Sequence, residues 1–328
     1  MIQDIATHLP LNRLNNEDLV QALGRWTPDE VFAKTGIRSR CIAAPDETAV
    51  DLGEKALTAL LNRQSVDKVD FLLFCTQTGD YKLPSSACIL QSRAKLSKSC
   101  GCLDLNLACS GFIYGLMIAE GLLKSGISSN VALVNCDTYT HYIHPKDAVC
   151  RPIFGDGAAA TLLTSSARGR IIGFDFGSDG DHALKMYLPA GGERMRSFRG
   201  GQNMATDSSP ADPEFIRMDG PEIYNFTLHA VPPAVQGALA KGQLGMKDID
   251  YFVFHQANAF MLESLRRKMN IPKEKYVIEM ADTGNLVSAS IPVVLAQMRS
   301  DARIKAGTRT LLCGFGVGLS WAACIVEW

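Results

Sequence analysis

Short apolar runs alternate along the chain with segments in which apolar residues recur at helical spacing. Runs such as DFLLFCT at 70–76 and NVALVNC at 130–136 are bounded by polar residues, as buried strands usually are. Further strands are predicted at 101–107 and, after a glycine turn, within 152–164, and helices are predicted at 49–61, 84–94 and 112–124. The first half of the chain is therefore expected to be an α/β unit.

The second half repeats this order of elements less regularly, with strands predicted at 250–254, 310–313 and 320–326 and helices at 224–239, 257–269 and 288–300. Pro232 and Pro233 are expected to kink or split the first of these helices, since proline removes a helical N–H donor. A glycine turn precedes a strand once in each half, at 155–157 and at 314–318. We therefore expect two related halves, 1–167 and 168–328, and loops over 177–213, which is rich in Gly, Ser, Asp and Pro.

Composition narrows the class of protein. The chain has 328 residues, 47% of them hydrophobic, which is enough for a large core, and its net charge of −1 does not indicate a nucleic-acid-binding protein. The N-terminal segment lacks the apolar stretch of a secretory signal, and the longest apolar helix is interrupted by Glu120, so no membrane association is expected. The ten cysteines include no C-x-x-C pair, which favours reduced thiols in a cytoplasmic protein without a metal site.

Cys109 is the first candidate for chemistry. The predicted strand GCLDLNL leads into Ala108-Cys109-Ser110-Gly111, and a predicted helix follows. Unpaired N–H groups and the positive end of the helix dipole at such a terminus favour thiolate over thiol, which makes the sulfur a better nucleophile. An ordinary buried cysteine in a tight turn is an equally good interpretation of this feature alone.

His255 and Asn285 are the other candidates. His255 ends the predicted strand DYFVF, and ligands of α/β proteins usually bind at this end of a strand. Asn285 lies in the turn DTGNL before a predicted helix. Taken singly, a hydrogen-bonded core histidine and a helix-capping asparagine are the better interpretations. Together with Cys109, however, they supply a nucleophile, a base or donor, and a neutral amide donor.

Five stretches taken together resemble those of the β-ketoacyl-acyl-carrier-protein synthase III family, which has the thiolase fold. They follow one another in the family's order: LACSGFIYGL, FGDGAAATLL, FHQANAF, DTGNLVSASIPVVL and GFGVGLSW. Residues 33–42 and 81–91 also resemble its N-terminal segments, so the resemblance covers almost the whole chain. It implies a five-layered αβαβα architecture from two related halves, and a homodimer.

The resemblance also implies a reaction. Cys109 takes an acyl group from a thioester, usually acyl-CoA, and malonyl acyl carrier protein then enters the site. His255 and Asn285 donate hydrogen bonds to the malonyl thioester oxygen and stabilise the enolate left by decarboxylation. The carbanion attacks the acyl-cysteine and gives a 3-oxoacyl carrier protein. No cofactor is implied beyond the acyl-CoA or acyl carrier protein substrates. Preorganised donors suit this step because negative charge develops on the oxygen.

Further site residues follow from the same resemblance. The backbone N–H groups of Cys109 and Val317 are expected to form the oxyanion hole. Leu83, just before a proline, is expected to reach the partner's acyl pocket and to limit chain length. The remaining residues are assigned to substrate binding (Phe315, Gly316 and Gly318) and to binding of the carrier protein (Lys34, Arg266, Arg267 and Lys268).

The chain departs from the family's pattern at several positions. Val317 interrupts the usual triple glycine, and because a β-branched residue avoids positive φ, the backbone there is expected to be either ordinary or strained. Phe260 stands where an arginine of the carrier groove is usual, and 30–32 lacks the tryptophan that often stacks on the CoA adenine. From these departures we expect an acyl carrier protein to be used, and free CoA thioesters to be used poorly.

Other classes of protein fit less well. A papain-like protease also has Cys, His and Asn in this order, but its C-G-S-C-W signature is absent. A dinucleotide-binding module needs a helix after its glycines, whereas 320–328 resembles a strand. An intact Cys, His and Asn argues against a binding protein that has lost turnover. A synthase III-like enzyme that acylates an oxygen or nitrogen acceptor, or makes a specialised ketide, stays open as an alternative.

Overall fold

A computed structural model describes residues 1–63, 69–196 and 209–328. The elements of the first half are β1 (Ile2–His8), β2 (Asn12–Asn15), α1 (Asn16–Leu23), α2 (Pro28–Thr35), β3 (Ser39–Ile42), α3 (Ala49–Arg63), β4 (Phe71–Cys75), α4 (Ser86–Arg93), β5 (Gly101–Leu105), α5 (Gly111–Lys124), β6 (Asn130–Asp137) and β7 (Gly157–Thr164). Those of the second half are β8 (Arg170–Ser178), β9 (Met186–Tyr187), β10 (Arg217–Met218), α6 (Gly220–Gly242), β11 (Tyr251–Phe254), α7 (Ala259–Lys268), β12 (Tyr276–Val277), α8 (Ser290–Ser300), β13 (Arg309–Gly316) and β14 (Ser320–Glu327).

Two five-stranded sheets repeat one arrangement. The first has the order β5-β4-β6-β7-β1 and the second β12-β11-β13-β14-β8. In each sheet the first three strands are parallel and the last two pair antiparallel. The predicted division of the chain at residue 167 falls in the connection between β7 and β8, and it stays a prediction.

Helices cover both faces of each sheet. Between the sheets lie α5 and α8, since α5 contacts strands of both and α8 contacts β1, β7 and β11. The outer face of the first sheet carries α3 and α4, and that of the second carries α6, with α7 packed beside it. Separate apolar clusters fill the middle layer and the two outer layers. The molecule therefore has five alternating layers, αβαβα, because every sheet face is apolar and requires a covering helix.

Three predictions about the second half need correction. Helix α6 runs unbroken through Pro232 and Pro233, so the prolines do not split it. Its packing against β8, β13 and β14 stabilises the helix despite the missing N–H donors. Residues 314–316 belong to strand β13 and not to a turn. The predicted loop 177–213 begins with the end of β8 and includes β9, while its residues 197–208 lie outside the described part of the chain.

Several elements have no counterpart among the predictions, namely β1, β2, α1, α2, β3, β8, β9, β10 and β12. Strands β1 and β8 occupy equivalent edges of the two sheets. Within the described ranges, no helix combines the length and the apolar composition that a membrane span requires.

Candidate active site

Cys109 lies between strand β5 and helix α5, as predicted, and only 6% of its surface is exposed. Strand β13 of the other sheet approaches it closely. A Cβ atom added at Gly314 would lie 2.5 Å from the Cys109 carbonyl oxygen, and one added at Gly316 would lie 3.0 Å from its Sγ. These two glycines are therefore required for β13 to pack against the nucleophile.

The environment of Cys109 opposes its ionisation. Burial raises the pKa of its thiol well above the ordinary value, and the nearby Asp137 carboxyl raises that pKa further. Asp137 is itself wholly buried, and burial raises its pKa to about 7. The predicted influence of the helix terminus, which favours thiolate, is therefore opposed by burial and by the Asp137 carboxyl. Burial and the carboxyl both favour the thiol over the thiolate.

His255 follows the last residue of β11, and its backbone N–H donates to the carbonyl of Cys313 in β13 over 2.8 Å. The Nδ1 atom lies 2.7 Å from the hydroxyl oxygen of Ser290 at the start of α8. The ring of Phe315 meets the imidazole edge-on, with centroids 5.5 Å apart. Burial lowers the pKa of His255 to about 3, so the imidazole is neutral at physiological pH. A neutral imidazole donates a hydrogen bond without carrying charge.

Asn285 is held by both its backbone and its side chain. Its N–H donates to the Ile153 carbonyl over 2.9 Å, and its Oδ1 accepts the N–H of Val287 over 2.9 Å. This second bond leaves the amide nitrogen Nδ2 to face the site. Nδ2 lies 3.4 Å from His255 Nε2 and 3.4 Å from the carbonyl oxygen of Ala257.

Cys109, His255 and Asn285 line one cavity of about 150 Å³, so three side chains far apart in sequence converge as predicted. Phe315 and Gly316 line the same cavity, and their role in substrate binding stays a prediction. Ser290, which orients the imidazole, has no counterpart in the sequence analysis, because a hydroxyl 35 residues from its partner gives no local signal. The cavity can hold an acyl group on sulfur next to two neutral N–H donors.

Val317 and Gly318 line a different, larger cavity of about 390 Å³, next to the first. Val317 is not among the residues with positive φ, so its backbone is ordinary rather than strained. Its carbonyl accepts the Ser320 hydroxyl over 2.9 Å. The role of its N–H in the oxyanion hole stays a prediction.

A third cavity of about 220 Å³ shares Val149, Ile153 and Asn258 with the Cys109 cavity and continues it toward the surface. Trp26, Lys34 and Phe260 line this third cavity. The ammonium of Lys34 lies 4.8 Å from the centroid of the Trp26 ring. A tryptophan, Trp26 from the loop before α2, thus lines this cavity although 30–32 contains none, and the expected preference for an acyl carrier protein over free CoA stays a prediction.

The predicted carrier-binding residues differ in how exposed their side chains are to a partner protein. Arg266 is bound to Glu263 and to the Ile271 carbonyl, and its side chain is only 19% exposed. Arg267 also contacts Glu263, but its side chain is 74% exposed, and Lys268 and Lys34 are exposed as well. Arg266 thus serves mainly to fix the end of α7, and the accessible positive charges are the other three.

Leu83 lies outside the Cys109 cavity and is 82% exposed in the protomer. It forms a cis peptide bond with Pro84. Across the described parts of the chain, no group of three or more His, Cys, Asp or Glu side chains is arranged to hold a metal ion.

Comparison with known proteins agrees with this geometry. Residues 103–180 match the family model for 3-oxoacyl-[acyl-carrier-protein (ACP)] synthase III, and residues 239–328 match the model for its C-terminal part. A β-ketoacyl-[acyl-carrier-protein] synthase III 2 of Halalkalibacterium halodurans is 35% identical, and the matched region covers 100% of this chain and 96% of that relative. A solved 3-oxoacyl-(acyl-carrier-protein) synthase III superposes with a TM-score of 0.94 at 43% identity, covering 100% of this chain and 99% of that one.

A priming β-ketosynthase from the R1128 polyketide biosynthetic pathway is also similar, with a TM-score of 0.85, 28% identity, and coverage of 99% of this chain and 95% of that one. Together the layers, the site and these matches define a condensing enzyme with the thiolase-like fold, which confirms the predicted fold class. The chain belongs to the 3-oxoacyl-[acyl-carrier-protein] synthase III family.

Proposed function

We propose that the protein loads an acyl group onto Cys109 and condenses it, with loss of CO2, with the malonyl group of an acyl carrier protein. The observation that carries this proposal is the convergence of Cys109, His255 and Asn285 on one buried cavity. The product is a 3-oxoacyl carrier protein. The metal-free assignment and the absence of a cofactor stay predictions.

In the loading step the Cys109 sulfur attacks the thioester carbonyl. The thioester C–S bond breaks, the leaving thiolate takes the proton of the cysteine thiol, and an acyl-cysteine remains. Because burial keeps the resting thiol protonated, ionisation accompanies attack rather than preceding it. The N–H groups at the start of α5 stabilise the sulfur as it gains charge, and the N–H groups of Cys109 and Val317 are proposed to receive the carbonyl oxygen.

In the condensation step the malonyl carboxylate leaves as CO2, and its electron pair forms an enolate. The Nε2–H of His255 and the Nδ2–H of Asn285 donate to the enolate oxygen; their nitrogens, 3.4 Å apart, are close enough to share one acceptor. For Nε2 to carry the proton, Nδ1 must accept, and the Ser290 hydroxyl is placed to donate to it. The enolate carbon then attacks the acyl carbonyl, the C–S bond to Cys109 breaks, and the released thiolate takes a proton from water to restore the resting thiol.

The function is tested by supplying an acyl thioester and malonyl carrier protein together and recovering the carrier. We expect a 3-oxoacyl carrier protein and an equal amount of CO2. Acyl transfer to the carrier without release of CO2 would contradict the proposal.

The second candidate function is a specialised ketide synthase or an acyltransferase with an oxygen or nitrogen acceptor. The similarity to the R1128 priming β-ketosynthase favours keeping it. An acyltransferase is distinguished by offering the acylated enzyme a hydroxyl or amine acceptor and measuring the ester or amide, and a specialised ketide synthase by the acyl group that is preferred in the condensation assay.

The acyl donor is proposed to be an acyl carrier protein or acyl-CoA. The outer cavity has an aromatic and positively charged lining of Trp26, Lys34 and Phe260. Such a lining suits the phosphorylated, nucleotide-containing arm of CoA as well as the arm of a carrier protein. The cytoplasmic location is likewise a proposal, supported by ten free thiols, because such thiols persist in reducing compartments.

Reversing the accessible charges at the end of α7, with Arg267→Glu and Lys268→Glu, is expected to raise the KM for the carrier protein about tenfold and to flatten its salt dependence. Exposed charges steer an acidic partner even when each ion pair is weak. Alkylation of Cys109 by a small uncharged reagent should be unchanged. The matched control, Arg63→Glu with Lys305→Glu, makes the same change in net charge on other exposed positions. Equal effects of the two double variants would refute a carrier surface on α7.

We propose a homodimer in which Leu83 of one protomer borders the acyl pocket of the other. An 82% exposed leucine beside a proline is an apolar side chain without cover in the protomer. Leu83→Ala is expected to shift acyl acceptance toward longer chains, measured as kcat/KM across a series of acyl thioesters. Leu11→Ala, which removes another exposed leucine (94%), is the control and should leave the series unchanged. A monomer in solution, or the same chain-length profile in Leu83→Ala, would count against the proposal.

A further inference from the structure

Asp137 is a wholly buried carboxylate outside the Cys109 cavity. It ends strand β6, next to the end of β4 in the same sheet. Its Oδ1 accepts the backbone N–H of Gln77 over 2.8 Å, just beyond β4. Its Oδ2 accepts both groups of Ser288, the hydroxyl over 2.6 Å and the N–H over 3.3 Å. The carboxylate therefore joins two strand ends of the first half to a loop of the second.

Ser288 stands in the middle of a segment that serves both proposed donors, residues 285–290, here called the donor segment. Asn285 begins it, and its side chain faces the site. Ser290 ends it, and its hydroxyl contacts His255 Nδ1. A displacement of Ser288 thus moves the amide donor directly and the imidazole through Ser290.

The donor segment depends on these hydrogen bonds because one of its residues has an unfavourable backbone conformation. Val287 has φ of +51°, a conformation that β-branched side chains disfavour. The N–H of Val287 is bound by Asn285 Oδ1, and the next residue is bound by Asp137. Strained conformations persist where the surroundings determine them from several sides.

We propose that Asp137 is a positioning residue that fixes the donor segment, and with it Asn285 and His255, relative to the half of the chain that carries Cys109. This inference rests on the proposed function and assigns Asp137 no contact with substrate. Asp137 supports condensation, which uses both donors, and does not support acyl loading, because the Asp137 carboxyl opposes ionisation of the Cys109 thiol.

Asp137→Asn keeps the shape but offers a single acceptor oxygen, so the backbone N–H of either Gln77 or Ser288 loses its acceptor. We expect condensation to slow roughly tenfold to a hundredfold, since small misplacements of catalytic groups have effects of this size. The rate of Cys109 acylation, measured by mass spectrometry in a single turnover, should not fall more than about threefold below wild type, because loss of the Asp137 charge removes one influence against ionisation of the thiol. Ser288→Ala should act in the same direction, and the double variant should be little worse than Asp137→Asn, because both remove one shared contact.

Asp70→Asn is the matched control. Asp70 also accepts hydrogen bonds from one serine hydroxyl, of Ser128, and from two backbone N–H groups, of Ser129 and Asn130. It lies just before β4, at the opposite end of the same sheet. This variant is expected to lower the melting temperature while the ratio of loading to condensation stays at the wild-type value.

Amide hydrogen exchange gives a second readout that does not depend on activity. Exchange in the donor segment should be at least about tenfold faster in Asp137→Asn than in wild type, and unchanged in Asp70→Asn. A parallel fall of loading and condensation, or unchanged exchange in the donor segment, would overturn the inference. If wild type makes no 3-oxoacyl product, the proposed function fails, while the exchange result still decides the role of Asp137. If Asp137→Asn does not fold, the rates of loading and condensation and the hydrogen exchange are measured on Ser288→Ala instead, with the same expected results.

Discussion

Cys109→Ala is expected to lose product formation by about four orders of magnitude or more, the usual consequence of removing a covalent nucleophile. The same variant should acquire no acyl mass after incubation with an acyl thioester, whereas the wild type should gain one acyl group on the peptide that contains Cys109. The physical reason is that Cys109 combines a helix terminus with a cavity that also contains two hydrogen-bond donors. Peptide mass spectrometry and steady-state turnover provide the measurements.

Cys324→Ala is the control for this experiment. Cys324 is also wholly buried, but it lies in β14 and does not line the Cys109 cavity. It should retain acylation and turnover, apart from any loss of stability. Acyl mass on a different cysteine, or turnover of Cys109→Ala at the wild-type rate, would remove Cys109 from the mechanism.

His255→Ala and Asn285→Ala are each expected to slow condensation on the order of a hundredfold or more, because each removes one preorganised donor to the enolate oxygen. Loading of Cys109 should survive far better in both, since it depends on the helix terminus. Because the pKa of His255 is held near 3 by burial, the imidazole stays neutral as pH falls through its ordinary titration range. The deficit of His255→Ala should therefore be constant across neutral pH. Single-turnover loading and condensation rates test both expectations.

His144→Ala provides the comparison for the histidine variant, since His144 is also buried but does not line the Cys109 cavity. It should change loading and condensation by the same factor. Condensation at the wild-type rate in both donor variants would contradict the assignment. A deficit of His255→Ala that disappears below pH 6.5 would mean that the imidazole titrates, contrary to its burial.

The site could be predicted because its three side chains stand at the ends of strongly patterned elements. Cys109 follows the apolar strand β5 of the first sheet and His255 the apolar strand β11 of the second, and ligands of α/β proteins usually bind at this end of a strand. Trp26 was not predicted to line the site, because the resemblance to the family directs attention to 30–32. The ring instead reaches the outer cavity from an earlier loop. Sequence spacing alone does not show which residues of a loop line a cavity.

The supporting contacts could not be predicted, for a different reason. Ser290 binds His255 across 35 residues, and Ser288 binds Asp137 across 151. These pairs follow from the packing of the two sheets, and nothing local distinguishes them from ordinary polar residues. The continuity of α6 through two prolines is similar, because tertiary packing outweighed the local preference. Patterns along the chain predict elements and their ends, whereas contacts between elements require the assembled fold.

The most direct test of the account is a chase of the acylated enzyme. Cys109 is loaded with an isotope-labelled acyl group, excess donor is removed, and malonyl carrier protein is added while the masses of enzyme and carrier are followed. The account predicts that the label leaves Cys109 and appears in a 3-oxoacyl carrier protein, with release of an equal amount of CO2. Label that stays on Cys109, or that leaves only as the free acid, would contradict it.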